Sequence, residues 1–163
     1  MTDTNTGGVT YGGFWIRVVA YIIDIIVLIV PLGAVYFLLP APMENGIPIG
    51  MNPMGAVANT LIVAAYVTLL DSSAKQGTLG KMVLGLKVTT LAGERLNFVQ
   101  ALYRAWPYYI GAAGSAIGAF IGMGPILSGV AGLVALAACI SVAFTARKQG
   151  IHDMMAGTVI VKK

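Results

Sequence analysis

Charged residues are scarce in this chain of 163 residues, where Asp, Glu, Lys and Arg together make up 10% of the sequence. Soluble domains carry about 25% charged residues. Hydrophobic residues make up 58% of the chain, and its mean hydropathy is +0.86. The shortage of charge argues against a soluble domain and predicts an integral membrane protein with one small domain over residues 1–163.

Cysteine and histidine occur once each, as Cys139 and His152. A single cysteine cannot form an intrachain disulfide, so we interpret Cys139 as a small apolar filler inside a span. One histidine without a second histidine or a thiolate is a poor metal or catalytic site. We therefore expect no metal, no cofactor and no enzymatic activity, and we interpret His152 and Asp153 as groups that tether the C-terminal tail by hydrogen bonds.

Lysine and arginine are absent from residues 40–53 but frequent in residues 71–104 and 146–163. Basic segments remain on the cytoplasmic side of a membrane, so both termini are predicted to be cytoplasmic. The net charge of +4 then reports topology rather than nucleic-acid binding, and the basic groups are placed to meet anionic membrane lipids. No basic residue precedes the first apolar stretch, which is also too long for a signal peptide. A bacterial inner membrane is the expected location.

Four membrane spans account for the apolar length. Residues 106–144 carry no charge and exceed the ~20 residues of one span, and the sequence GMGP at 122–125 provides a break between two helices. The alternative is three spans with a re-entrant segment. The predicted spans are residues 14–39, 54–70, 105–121 and 125–145, joined by a cytoplasmic loop at 71–104 and followed by a cytoplasmic tail at 146–163.

The cytoplasmic loop carries its own structural pattern. The sequence LKVTTLAGERLNF predicts a β-hairpin that turns at Ala92–Gly93, and the tail segment Val159–Val161 is expected to approach Leu86–Val88. Asn97, with Gln100 three residues later, predicts the start of a short amphipathic helix. The predicted fold class is an all-α membrane protein: a four-helix transmembrane bundle with a small cytoplasmic β-hairpin and a short helix.

Small residues recur every four positions in the last two spans, at Gly114, Gly118 and Gly122 and again at Ser128 and Gly132. Such positions allow membrane helices to approach closely. Two readings follow: a face that binds another membrane protein or a second copy of the chain, or a face that packs on its own neighbouring helix.

Two ionisable residues lie inside the first apolar stretch, Arg17 and Asp24. Such groups cost at least ~2.5–3.5 kcal/mol each at membrane depth, so they face protein or a wet cavity. They share one side of a helix but lie about 10 Å apart along its axis, too far for a direct pair. We expect Arg17 to pair with Asp153. Asp24 is expected to bond to Asn59, to Thr60 or to a tyrosine of the third span, or to remain titratable.

The sequence GTLGK at 77–81 does not form a nucleotide site. A phosphate-binding loop has four residues between its glycines and a Ser or Thr after the lysine. Here two residues separate Gly77 from Gly80, and Met82 follows Lys81.

Motifs along nearly the whole chain resemble the RDD family of membrane proteins. They are FWIR with Asp24 in the first span, QGTLGKM followed by GLKV, GERL followed by ALYR, and HDMMAGTVIV near the end. The family is named for one Arg and two Asp, which by motif correspond to Arg17, Asp24 and Asp153, with Asp71 as a rival for the last. The polar cluster that we connect with this signature comprises Arg17, Asp24, Asp71, Lys81, Arg104, His152 and Asp153.

The resemblance implies either of two functions. Transport of an unknown ligand has been suggested for the family, cation/proton antiport has been proposed for some members, and others resemble partners of larger complexes. We expect a non-catalytic accessory subunit of a membrane protein complex, in which the Arg/Asp set locks the fold. The alternative is a cation/proton exchanger or proton-linked transporter with Asp24 as the titrating carboxylate, since apolar burial raises the pKa of a carboxyl group.

Overall fold

The computed structural model of the protein describes residues 8–48, 52–121 and 123–163. The chain is mostly helical with two small antiparallel sheets. The helices are α1 (Phe14–Leu38), α2 (Pro53–Asp71), α3 (Leu79–Val83), α4 (Phe98–Arg104), α5 (Trp106–Ile121), α6 (Gly124–Ile140) and α7 (Ile151–Met155), with a 3-10 turn at Ser141–Phe144. The strands are β1 (Met43–Glu44), β2 (Ile47–Pro48), β3 (Leu86–Thr90) and β4 (Thr158–Lys162).

Three helical segments in the described part of the chain are long and apolar enough to cross a membrane: Phe14–Leu38, Pro53–Asp71 and Ile126–Phe144. Large apolar side chains such as Val30 on α1 and Leu133 on α6 are exposed. A soluble monomer rarely exposes apolar surface on this scale, so these faces suit lipid. Helix α5, with 16 residues, is shorter than the other three segments.

Strands β1 and β2 form a short antiparallel hairpin in the loop between α1 and α2. Asn45 and Gly46 make the turn, and both have positive φ angles, of 51° and 77°. Asn-Gly is the preferred pair for a two-residue hairpin turn because both positions require positive φ. The sequence therefore carried the signal for this turn.

Strands β3 and β4 pair in antiparallel register, with Val88 opposite Ile160 and Thr89 opposite Val159. This confirms the predicted approach of the tail to the loop. The segment before α1 joins the other edge of β4, since Gly12 N donates to Ile160 O at 2.8 Å and Tyr11 bridges to Val161. The sheet thus ties residues from both ends of the chain together.

The turn predicted at Ala92–Gly93 is present, but the second strand predicted after it is not. The chain turns tightly after Thr90. The Thr90 carbonyl accepts from Gly93 N, and the Thr90 N–H donates to Glu94 O at 2.9 Å. Residues 94–97 then leave the sheet without forming a strand. The second edge of β3 is used by Gln76, whose carbonyl accepts from Val88 N at 2.6 Å. With β4 on one edge and Gln76 on the other, β3 has no place for a local partner.

The short helix α4 begins where the sequence predicted. Asn97 accepts from Gln100 N at 2.8 Å, and the Gln100 side chain accepts from Asn97 N at 3.1 Å. This reciprocal capping box satisfies two donors that a helix start leaves unpaired.

A small apolar core lies where the β3–β4 sheet meets the helices. The buried core residues are Ala20, Leu86, Val88, Leu96, Ala101 and Ile160. Burial of these side chains fixes the sheet to α1 and α4. We call this end of the molecule, which also carries α3 and α7, the basic end.

Helices α5 and α6 pack closely against each other, and α2 packs against both α1 and α5. A Cβ atom built on Gly114 would lie 2.9 Å from Leu127 O, so this glycine serves an intrachain contact. Gly118 is buried, and Gly122 lies outside the described residues. Ser128 is half-buried, whereas Gly132 is exposed and a Cβ on it would meet nothing within 4 Å. Packing within the chain, the second of the two readings, therefore applies to Gly114.

Substitution of Gly114 with Ala is expected to destabilise the protein, because the Leu127 carbonyl is rigid helix backbone that must move aside. A cost of about 1–3 kcal/mol is typical of overpacking. Gly111→Ala is the matched control on the same helix, since its Cβ would meet nothing within 4 Å and alanine gains up to ~1 kcal/mol in helix propensity. Thermal unfolding in detergent should lower Tm for the first variant only; equal Tm values would refute the contact.

Candidate functional site

Buried charges at the basic end form one continuous chain of ion pairs. Arg17 Nη1 donates to Asp153 Oδ2 at 2.5 Å, and Arg104 Nε donates to Asp153 Oδ1 at 2.8 Å. Arg104 Nη1 reaches Asp71 Oδ2 at 2.5 Å, and Lys81 Nζ contacts both Asp71 oxygens at 2.9 Å. The predicted pair between Arg17 and Asp153 is thus confirmed. Arg104 contacts both Asp71 and Asp153, so the two acids belong to the same series of ion pairs.

Each cation in this series of ion pairs lies on a different helix. Arg17 is on the second turn of α1, Lys81 is on α3, and Arg104 is the last residue of α4. Asp71 ends α2, and Asp153 caps the start of α7, where its Oδ2 also accepts from Gly150 N at 3.1 Å. Both carboxylates are fully buried. Removing one partner of such a pair strands a buried charge at a cost of ~3–5 kcal/mol.

Arg17 also donates to two backbone carbonyls, one before α1 and one before α7. Its Nε donates to Gly12 O at 2.8 Å, and its Nη2 donates to Lys148 O. One guanidinium therefore fixes the segment before α1, the segment before α7 and the Asp153 carboxylate, using its planar set of donors.

Asp24 lies outside the ion-pair chain and is held by uncharged donors. Tyr66 Oη donates to its Oδ1 at 2.7 Å, Thr78 Oγ1 donates to its Oδ2 at 2.6 Å, and Gly80 N donates to its Oδ1 at 2.7 Å. The predicted partners Asn59, Thr60 and a third-span tyrosine were wrong. Thr60 bonds back to Ala56 O on its own helix.

The GTLGK segment supplies two of these donors because its backbone approaches α1 very closely. A Cβ atom on Gly80 would lie 2.0 Å from Ala20 O and 3.0 Å from Asp24 Cγ. Only glycine leaves room for this approach. The glycine-rich spacing thus serves the contact between α3 and α1.

The pKa values of the ion-pair groups outside the spans follow their surroundings. Burial raises the pKa of Asp153, but the charges of Arg104 and Arg17 outweigh it and hold the pKa well below the usual range. Burial lowers the pKa of Arg104, but Asp153 and Asp71 outweigh it and raise the pKa. For Lys81, burial lowers the pKa despite the opposing charge of Asp71. Asp153 and Arg104 therefore remain charged across the physiological range.

His152 is buried beside Asp153, with Nε2 3.4 Å from Asp153 Oδ1. Its Nδ1 has no hydrogen-bond partner among the described residues. Burial lowers the pKa of His152 to about 4, assisted by the nearby charges of Arg104 and Arg17. The imidazole is therefore neutral at pH 7, and Nδ1 is its atom without a partner among the described residues.

A partly open cavity of about 380 Å³ adjoins the cluster. Helix α1 forms one wall and α5 and α6 form the other. Arg17, Asp24, Lys81, Arg104 and His152 line its polar side, whereas Asp71 and Asp153 are not among its lining residues. All seven predicted members of the polar cluster therefore lie at or next to this cavity.

Among the described glycine and serine positions predicted as a partner face, Gly132 lines the cavity, whereas Gly114, Gly118 and Ser128 are not among its lining residues. All three donors of Asp24 were missed: Tyr66 Oη, Thr78 Oγ1 and Gly80 N. Thr78 lies within a motif that we had quoted, and the close approach of α3 to α1 is a tertiary contact that one sequence does not reveal.

Gly80→Ala is expected to prevent correct docking of α3, because the added methyl group would overlap the Ala20 carbonyl. Overpacking of this severity costs about 3 kcal/mol or more. Gly13→Ala is the control, since its Cβ would meet nothing within 4 Å. The yield of monodisperse protein and its Tm should fall for Gly80→Ala alone, and wild-type values for that variant would contradict the contact.

Protonation of His152 is expected to destabilise the fold in mild acid. The folded-state pKa of about 4 lies below the ordinary histidine pKa of 6.5, so between these values the unfolded chain binds a proton that the folded chain does not. Stability is therefore full above pH 6.5 and declines as the pH falls toward 4, by on the order of 3 kcal/mol. Thermal unfolding from pH 7.5 to 4.5 measures the decline, which should flatten in His152→Gln; an unchanged slope there would exclude His152 as its source.

Comparisons with known proteins place the chain in a family. The model of the RDD family matches residues 11–157. The chain is 32% identical over 168 aligned positions to the uncharacterized protein YxaI of Bacillus subtilis strain 168, covering 93% of this chain and 97% of YxaI. It is 30% identical over 158 positions to the uncharacterized membrane protein YteJ of that bacterium, covering 93% of this chain and 80% of YteJ. No solved structure matches the chain. The apolar helices and these matches both indicate a membrane protein, and the chain belongs to the RDD family.

Proposed function

We propose that this protein is a non-catalytic accessory subunit of a larger membrane protein complex, and that its Arg/Asp set locks the fold. The observation that carries the proposal is the saturation of the cluster. Arg17, Lys81 and Arg104 balance Asp24, Asp71 and Asp153 in number, and every one of these groups makes hydrogen bonds within the chain.

Asp24 is the group that decides between this proposal and transport. Exchange of a proton and a cation at one carboxylate requires that the carboxylate release its protein partners. Asp24 instead accepts hydrogen bonds from three donors that come from α2 and from the segment at 78–80. A carboxylate held in this way acts as a structural acceptor that positions α3.

Four spans fit the arrangement better than three with a re-entrant segment. Strand β3 before α5 pairs with strand β4 after α6, so the chain leaves and returns to the basic end between them. If α6 crosses the membrane, α5 is the segment available for the opposite crossing. Its 16 residues span about 24 Å. With the basic end in the cytoplasm of a bacterial inner membrane, both termini are cytoplasmic.

The alternative is a cation/proton exchanger, and one observation favours it. Asp24 and the neutral His152 both line the cavity of about 380 Å³, so water or an ion is able to approach them. Buried ionisable groups in a membrane protein are by default candidates for a proton path.

Two measurements on the full-length protein separate these functions. Gentle extraction from the native membrane, followed by determination of mass and composition, should yield a stoichiometric complex with another membrane protein. Recovery of the chain only as a free monomer or homo-oligomer would contradict the accessory role.

Proton movement in reconstituted vesicles provides the second measurement. Wild-type protein with an internal pH dye should show no cation-driven proton flux above empty vesicles. Cation-dependent flux that Asp24→Asn abolishes, in a variant that still elutes as folded protein, would establish the exchanger instead. Asp24→Glu serves as the control, because it keeps a carboxylate at that position.

A further inference from the structure

The cavity beside the cluster has a polar end and apolar walls. Its polar end lies at the basic end of the bundle, where the first turns of α1 and the last turns of α6 are located. Val18 and Tyr21 of α1 face Ala135 and Leu136 of α6 across it. A site of this kind suits an amphipathic molecule whose polar group is at the basic end.

The charge that lines the cavity is not balanced, although the cluster as a whole is. Arg17, Lys81 and Arg104 line the cavity, and Asp24 is the carboxylate among its described lining residues. Asp71 and Asp153 are fully buried behind these cations and are not in the lining. The charges that line the cavity are therefore three cations and one carboxylate. Asp71 and Asp153 pair with these cations from outside the lining, so an anionic group entering the cavity meets the positive ends of these ion pairs first.

From this juxtaposition we propose that the cavity between α1 and α6 binds one anionic phospholipid of the bilayer. Its phosphate lies near Arg17 and Arg104, and an acyl chain follows the apolar walls outward. Basic pockets between transmembrane helices at the cytoplasmic side bind anionic lipid head groups. The volume of about 380 Å³ lies within the ~300–1,000 Å³ range of ligand pockets. This proposal does not depend on the accessory role.

Gly132 offers a way to fill the cavity without disturbing the ion pairs. It lines the cavity, and a Cβ atom there would meet nothing within 4 Å. Gly129 on the same helix has equally open space but is not in the lining. Gly132→Leu and Gly129→Leu are thus a matched pair in which the first alone occupies the proposed acyl path.

Native mass spectrometry of the purified full-length protein tests the site. The probes are phosphatidylglycerol and phosphatidylcholine with the same acyl chains. Wild type and Gly129→Leu should retain one phosphatidylglycerol and bind phosphatidylcholine at least tenfold more weakly, and Gly132→Leu should lose at least tenfold in phosphatidylglycerol binding. Equal binding of both lipids by wild type, binding of neither, or wild-type affinity in Gly132→Leu would overturn the proposal.

Cys139 provides a readout on the unaltered protein if Gly132→Leu does not fold. It is the single cysteine of the chain, it is exposed, and it lines the same cavity. Phosphatidylglycerol should slow its reaction with N-ethylmaleimide several-fold, whereas phosphatidylcholine should not. An identical rate with both lipids would overturn the proposal independently of any variant.

Discussion

The requirement that no buried charge remain unpaired organises this protein. Arg17 is the fourth residue of α1, and removing the partner of a buried charge costs several kcal/mol. Asp153 removes that cost by pairing with it, and Arg104 then pairs with the other oxygen of the same carboxylate. Because Arg104 also binds Asp71, the pairing extends to the end of α2. One electrostatic condition thus joins the first span, the second span, the loop and the tail.

Asp24 solves the same problem by a different route. Its partners are a tyrosine, a threonine and a backbone N–H, so no counter-charge contacts it directly. Uncharged donors are cheaper to bury than a second ion, and they are directional. The carboxylate therefore positions α3 against α1 at the one place where Gly80 permits the approach. The two carboxylates have different roles: Asp153 connects charged side chains, and Asp24 positions backbone.

Much of the architecture was predictable from local pattern. Apolar length gave the three long helices, and the spacing of Asn97 and Gln100 gave the start of α4. The partner of Arg17 was predictable because few acids exist in the chain and Asp153 lies in a basic tail that returns to the same side.

The predictions that were wrong depended on tertiary contacts. The second strand of the loop was predicted from its β-prone residues, yet Thr90 closes a tight turn and Gln76 occupies the free edge of β3. The donors of Asp24 were sought on facing spans, but two of the three come from the loop. Sequence pattern ranks what a segment prefers by itself, whereas the choice among competing edges and donors is made by packing.

The pairing of Arg17 with Asp153 also sets an order of assembly. These residues are 136 positions apart, so a ribosome places Arg17 at the membrane long before it has made Asp153. Residues 158–162, which close the sheet beside Gly12, follow later still. Throughout that interval the first helix presents an unsatisfied cation at its polar end. A chain interrupted before the tail therefore carries a persistent polar defect, which distinguishes it physically from a finished molecule.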